Sequence, residues 1–85
     1  MQQIDKENIV KLSNRIKELR LKHSKSLNKF IFSGGHLTTA TWSRLENGIN
    51  DFKFSTLLRV AYLLDLKIDE LLKDIDFDYN FEENL

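Results

Sequence analysis

Residues 38–48 read Thr38-Thr39-Ala40-Thr41-Trp42-Ser43-Arg44-Leu45-Glu46-Asn47-Gly48. Set on a helix, this stretch has two unlike faces. Trp42 and Leu45 are three apart and turn one way, toward a core. Thr39, Ala40, Ser43, Arg44 and Asn47 turn the other way. That outer face is small and polar, with one arginine, and suits the hydrogen-bonding base edges of a DNA major groove. Thr38 is placed as an N-cap, and Gly48 stands where a helix-ending glycine belongs.

On the N-terminal side, Ser33-Gly34-Gly35-His36-Leu37 reads as a turn, because glycine adopts the left-handed conformation a tight connection needs. The absence of a Walker lysine pattern and of a parallel-sheet unit excludes a phosphate-cradling loop. His36 is a turn residue, with a phosphate contact as the alternative. Ser26 caps a short helix over 27–33, after a polar break at 24–26. Before it, Ile9, Leu12, Ile16 and Leu19 recur at three, four and three, which predicts a helix from Asp5 to His23 with Asp5 at its start. Lys11, Arg15, Lys17 and Lys22 cover the remaining surface, as solvated lysines and arginine or as reach toward phosphates. Trp42 is expected to fill the core beside Ile16, Leu19 and Phe30, its indole N–H needing an acceptor.

On the C-terminal side, residues 50–54 form a loop. A helix then runs to about Asp65, with Leu57, Leu58, Val60, Ala61 and Leu64 inward and Tyr62 and Leu63 forming an exposed patch. A last helix covers about 68–73, anchored by Leu71 and Leu72. From Asp74 on, Ile75, Phe77, Tyr79 and Phe81 alternate with Asp76, Asp78, Asn80 and Glu82, which predicts an extended strip with one apolar face. The strip is expected to pack on Tyr62 and Leu63, of its own chain or of a partner. A second reading lays its acids over the basic face; a third leaves a ragged terminus.

The segment Ser43-Arg44-Leu45-Glu46-Asn47-Gly48 closely resembles the recognition helix of Cro/repressor-type helix-turn-helix DNA-binding proteins (the XRE family), and the resemblance extends over about 15–72. It implies an all-α, five-helix, lambda-repressor-like domain over 1–75, with the motif over about 26–47, the recognition helix over about 39–47 and a separate tail over 76–85. It also implies that Arg20 pairs with Glu46, locking the first helix to the recognition helix. Thr39, Ala40, Ser43 and Arg44 become base contacts, with phosphate the alternative for Arg44. Thr38, Asn47 and Lys53 become phosphate contacts; because Leu27 stands where the family has a phosphate-binding glutamine, that contact is expected to pass to Asn28 or Lys29, or to backbone N–H groups at the helix start. Phe54 matches a leucine that opens the fourth helix. The chain departs from the family at Leu27, Lys29 and Ile31, and its turn is one residue longer. Homodimerisation is expected through the last two helices and the tail, at Tyr62, Leu63, Phe77, Tyr79 and Phe81.

Composition agrees with one small domain. Eighty-five residues bury roughly 60% of their unfolded surface. With 41% hydrophobic residues and no cysteine, the chain folds without disulfides or a thiolate metal site. It contains no proline and three glycines, which favours helices. No signal-peptide core or membrane-length apolar run is present, so a cytoplasmic location is expected. The net charge of zero hides a division: residues 1–59 carry eleven Lys/Arg against five Asp/Glu, and residues 60–85 two against eight. A phosphate backbone responds to the local field, not to the molecular sum.

The leading expectation is a sequence-specific DNA-binding regulator of the repressor type, working as a dimer on a palindromic operator. The alternative is a protein-binding adaptor or antitoxin-like partner on the same fold. No enzyme is expected: His23 and His36 lack the spaced partners of a catalytic triad, and no metal-ligand cluster or cofactor motif is legible.

Overall fold

The apolar stripe of the first helix sets the architecture. In the computed structural model, which describes residues 2–23, 37–49 and 51–84, α1 runs Gln3–His23. Ile9, Leu12 and Ile16 are buried along it, and Leu19 packs partly against the core. The helix starts two residues before the expected Asp5, which lies in the first turn, where its carboxylate still meets the positive end of the helix dipole. Three further helices follow: α2 (Thr39–Asn47), α3 (Phe54–Leu63) and α4 (Ile68–Leu72). A 3₁₀ turn, Phe81–Asn84, closes the described residues. Among the described residues the fold is all helical, with no strand. The expected short helix over 27–33 with Asn28, Lys29 and Phe30, and the Gly34-Gly35-His36 turn, lie outside the described residues.

One core joins the four helices. Ile16, Trp42, Val60 and Leu71 have no exposed surface, with Leu12, Leu45, Ala61, Leu63 and Leu64 around them. Full burial of side chains this size contributes roughly 2–3 kcal/mol each. Leu37, Phe52, Leu57, Ile75 and Phe77 close the cluster from its edges.

The inward face of α3 differs from the expected one. Leu58 is 44% exposed, and Leu63, expected outside with Tyr62, is 6% exposed. Phe54, expected to behave as a core leucine, is 66% exposed, and Phe52 packs against the core instead. The helix Phe-Ser-Thr-Leu-Leu-Arg-Val-Ala-Tyr-Leu is apolar on most sides, so its sequence periodicity does not single out one face. Packing selects Val60, Ala61 and Leu63 and leaves Phe54, Leu58 and Tyr62, at i, i+4 and i+8, as an outward ridge. α3 ends at Leu63, before the expected Asp65. Asp65 takes the left-handed conformation (φ 60°), and the Leu66 N–H returns to the Ala61 carbonyl at 2.8 Å, closing the helix end. In α4, Glu70 accepts the Lys67 N–H at 3.0 Å, which caps the helix start.

The tail lies neither on the Tyr62 side nor over α2. It runs back along α1. Arg15 Nε donates to the Leu71 carbonyl at 3.5 Å, Lys11 Nζ to the Asp76 carbonyl at 2.6 Å, and Asn8 bonds the main chain of Asp78. Residues 8, 11 and 15 share one side of α1, while Val10 and Ser13, against Gly48, and Arg20, against Glu46, share another. At ~100° per residue the two sides are about 180° apart. Lys11, expected as a solvated cation or as reach toward phosphates, holds the tail, and Arg15, expected likewise, holds the end of α4. The alternation is kept only in part: Phe77 packs against the core, whereas Tyr79 is exposed and stacks edge-on against Phe81, with ring centroids 6.4 Å apart.

Candidate functional site

Helix α2 is held at both ends by its own sequence. Thr38 adopts an extended conformation (φ −81°, ψ 159°), and its hydroxyl oxygen accepts the Thr41 N–H at 3.1 Å. The same hydroxyl donates to Thr41 Oγ1 at 2.9 Å. At the other end Gly48 is left-handed (φ 63°). A Cβ there would sit 3.3 Å from both Ser13 Oγ and Val10 Cγ2, so backbone conformation and the approach of α1 both require glycine.

The inner side of α2 is anchored by Trp42 and Leu45 in the core. Beside them the Arg20 guanidinium grips Glu46 with two parallel bonds, Nε to Oε2 at 2.9 Å and Nη2 to Oε1 at 2.8 Å. The two side chains are 10% and 9% exposed. The hydrogen bond to Glu46, aided by its charge, raises the Arg20 pKa above the ordinary arginine value against the opposing effect of burial. The expected pair is therefore present, in the forked geometry that gives arginine–carboxylate contacts their directionality. The acceptor sought for the Trp42 indole N–H is also Glu46, through Oε2.

The outer side of α2 is open. Thr39, Ala40, Ser43, Arg44 and Asn47 are all exposed. Asn47 Nδ2 lies 3.4 Å from Ser43 Oγ, a weak contact easily exchanged for another acceptor. Arg44 has no hydrogen bond or ion pair among the described residues. It lines an open cleft with Thr41, Asp51, Phe52, Lys53 and Thr56, so two expected cations, Arg44 and Lys53, border one depression. Lys53 is the N-cap residue of α3 and supplies no side-chain cap, leaving the first N–H groups of that helix without one. Thr41 and Thr56 were not singled out from the sequence. Their place beside Arg44 depends on how the 49–53 connection folds, which no local spacing encodes. Asn28 and Lys29, the other expected phosphate contacts, lie outside the described residues. Among those described, no cluster of His, Asp or Glu is placed to hold a metal ion. No helix among them is long and apolar enough to cross a membrane.

The chain matches no curated protein and no solved structure significantly. A family model does match, that of the Cro/C1-type HTH DNA-binding domain, over residues 11–76. That span runs from the tail-holding Lys11 through the capped α2 to α4, and the chain belongs to the Cro/C1-type helix-turn-helix DNA-binding domain family.

Proposed function

We propose that the chain is a sequence-specific regulator of transcription that inserts α2 into the major groove and acts as a repressor-like dimer on a palindromic operator. The observation that carries this reading is the contrast between the two sides of α2: five short or polar side chains stand open to solvent behind a fully buried tryptophan. Thr39 and Ser43 offer hydroxyls to base edges, Ala40 a methyl to thymine, and Arg44 a fork to guanine. Arg44 shares its cleft with Lys53, which favours a phosphate as its alternative target. Thr38, Asn47 and Lys53 serve the backbone, Thr38 by trading its bond to Thr41 Oγ1 for a phosphate oxygen. Asn28 and Lys29 extend those contacts. In a two-fold dimer the two α2 helices lie about 34 Å apart, one turn of DNA. Each domain brings one short reading helix, so pairing multiplies a weak half-site affinity. The exposed Phe54–Leu58–Tyr62 ridge is the surface for that pairing, in place of the expected patch containing the buried Leu63.

Selection of duplexes from a random pool tests the reading. The expected result is a symmetric site bound with affinity that falls steeply as salt rises, by an amount set by the phosphates contacted. Failure to enrich any duplex, with stable capture of a protein partner through Tyr79 or the α3 ridge, favours the adaptor reading instead.

A further inference from the structure

Three donors converge on one carboxylate. Arg20 Nη2 takes Glu46 Oε1, while Arg20 Nε and the Trp42 indole N–H both take Oε2. Trp42 and Glu46 belong to α2, one turn apart, and Arg20 belongs to α1. An arginine–glutamate pair by itself joins two long side chains with many rotatable bonds. It keeps two helices close but allows one to turn about its own axis. The indole removes that slack. Its ring is wholly buried, so the N–H points in a fixed direction, and Glu46 must bring Oε2 to it. The acceptor that Arg20 grips then has one position relative to α2.

We propose that Trp42 is a positioning residue for base readout: by fixing the Glu46 carboxylate it sets the rotation at which α1 holds the recognition helix. This inference rests on the DNA-reading function proposed above. A helix is about 10–12 Å across, so a turn of about 10° carries its outer rim by about 1 Å. Hydrogen bonds to base edges weaken sharply over that distance. Thr39, Ala40, Ser43 and Arg44 lie on the rim away from the core and take the displacement. Phosphate attraction varies slowly with distance, and Lys53 stands at the start of α3, off the turning helix. Loss of the indole bond therefore harms discrimination more than general DNA affinity.

The test replaces Trp42 with benzothienylalanine, which keeps the fused rings and puts sulfur in place of the N–H, with Trp42→Phe as an encoded second variant. Affinity is measured at one salt concentration for the duplex that the wild-type chain selects and for an unrelated duplex of equal length. The expected result is about a tenfold loss on the selected duplex with the unrelated one unchanged, comparable to one mismatched base pair. Equal losses on both duplexes, which partial unfolding produces, or an unchanged ratio overturn the proposal. If the wild-type chain selects no duplex, the DNA-reading function fails, and the positioning role is decided on the free protein. Backbone amide chemical shifts of residues 39–47 must then move in the benzothienylalanine variant, and unchanged shifts at Thr39, Ser43 and Arg44 overturn the role.

Discussion

Asn8 holds the main chain of Asp78, seventy residues away, from both sides: Asn8 Nδ2 donates to the Asp78 carbonyl at 2.9 Å, and Asn8 Oδ1 accepts the Asp78 N–H at 2.8 Å. The side-chain amide acts as one peptide unit of a sheet ladder would. Asn8→Ala removes both bonds at a half-buried position. The expected cost is about 1–2 kcal/mol, read as a lower denaturation midpoint with faster amide exchange at Asp78. Because the tail docks behind α1, the same substitution leaves affinity for DNA within twofold, as a titration at fixed salt will check.

Glu46→Ala takes two charge-assisted hydrogen bonds away from a buried guanidinium. Removal of one partner from a pair this enclosed costs about 3–5 kcal/mol, measurable by urea unfolding. The hydrogen bond to Glu46 raises the Arg20 pKa above the ordinary arginine value. Stability from a raised pKa is complete below the unfolded value and is lost only as pH climbs through the folded one. The Arg20 contribution is therefore constant across neutral and moderately alkaline pH, and unfolding titrations there will show no step from this residue.

Ser13 carries a buried hydroxyl without a hydrogen-bond partner among the described residues, facing Gly48. Ser13→Ala deletes a desolvated polar group and little volume. We expect a gain of about 1 kcal/mol, seen as a higher melting temperature. Gly48→Ala acts in the opposite sense, through the left-handed conformation and the close contact with Ser13 and Val10, and costs about 1–2 kcal/mol or more.

Asp65 and Asp74 both adopt positive φ, 60° and 62°. Asp65→Gly relieves that strain and removes a carboxylate from the negative end of α3. The expected gain is about 0.5–1 kcal/mol by thermal melting, and Asp65→Ala brings no such gain.

Leu58 stands at the centre of the exposed α3 ridge, between Phe54 and Tyr62. Leu58→Asp is expected to shift sedimentation toward the monomer and leave the monomer's melting temperature within a few degrees, since the side chain is outside the core. An unchanged mass at all concentrations, dimeric in both chains, removes the ridge as the pairing surface.

The elements legible in the sequence were those whose chemistry is local or carried by side-chain identity. Thr38 and Gly48 cap α2 as read, because a cap is written within four residues of the helix end. Arg20 and Glu46 meet as the family resemblance implied. The orientation of α3 was not legible. Leu58 and Leu63 are chemically identical, and only the neighbouring helices decide which is buried. The course of the tail was hidden for a different reason. Asn8 and Lys11 grasp its main chain, which every residue possesses, so no side chain in the tail announces its partner. The open face of α2 was readable in full, and the cleft that joins Arg44 to Lys53 was not.

Pinning the tail behind α1 has an electrical consequence. Asp74, Asp76 and Glu82 are exposed along a segment anchored on one flank of the long helix, while Lys6 and Lys17 fall on the flank nearer α2, the helix that carries Arg44. Among the described residues the tail acids and these two lysines thereby contribute a dipole moment across α1. Near a polyanion such a moment exerts a torque that turns the molecule over a range of about 8–10 Å in physiological salt. On the proposed reading, collisions with DNA are expected to begin with α2 leading and the acids trailing.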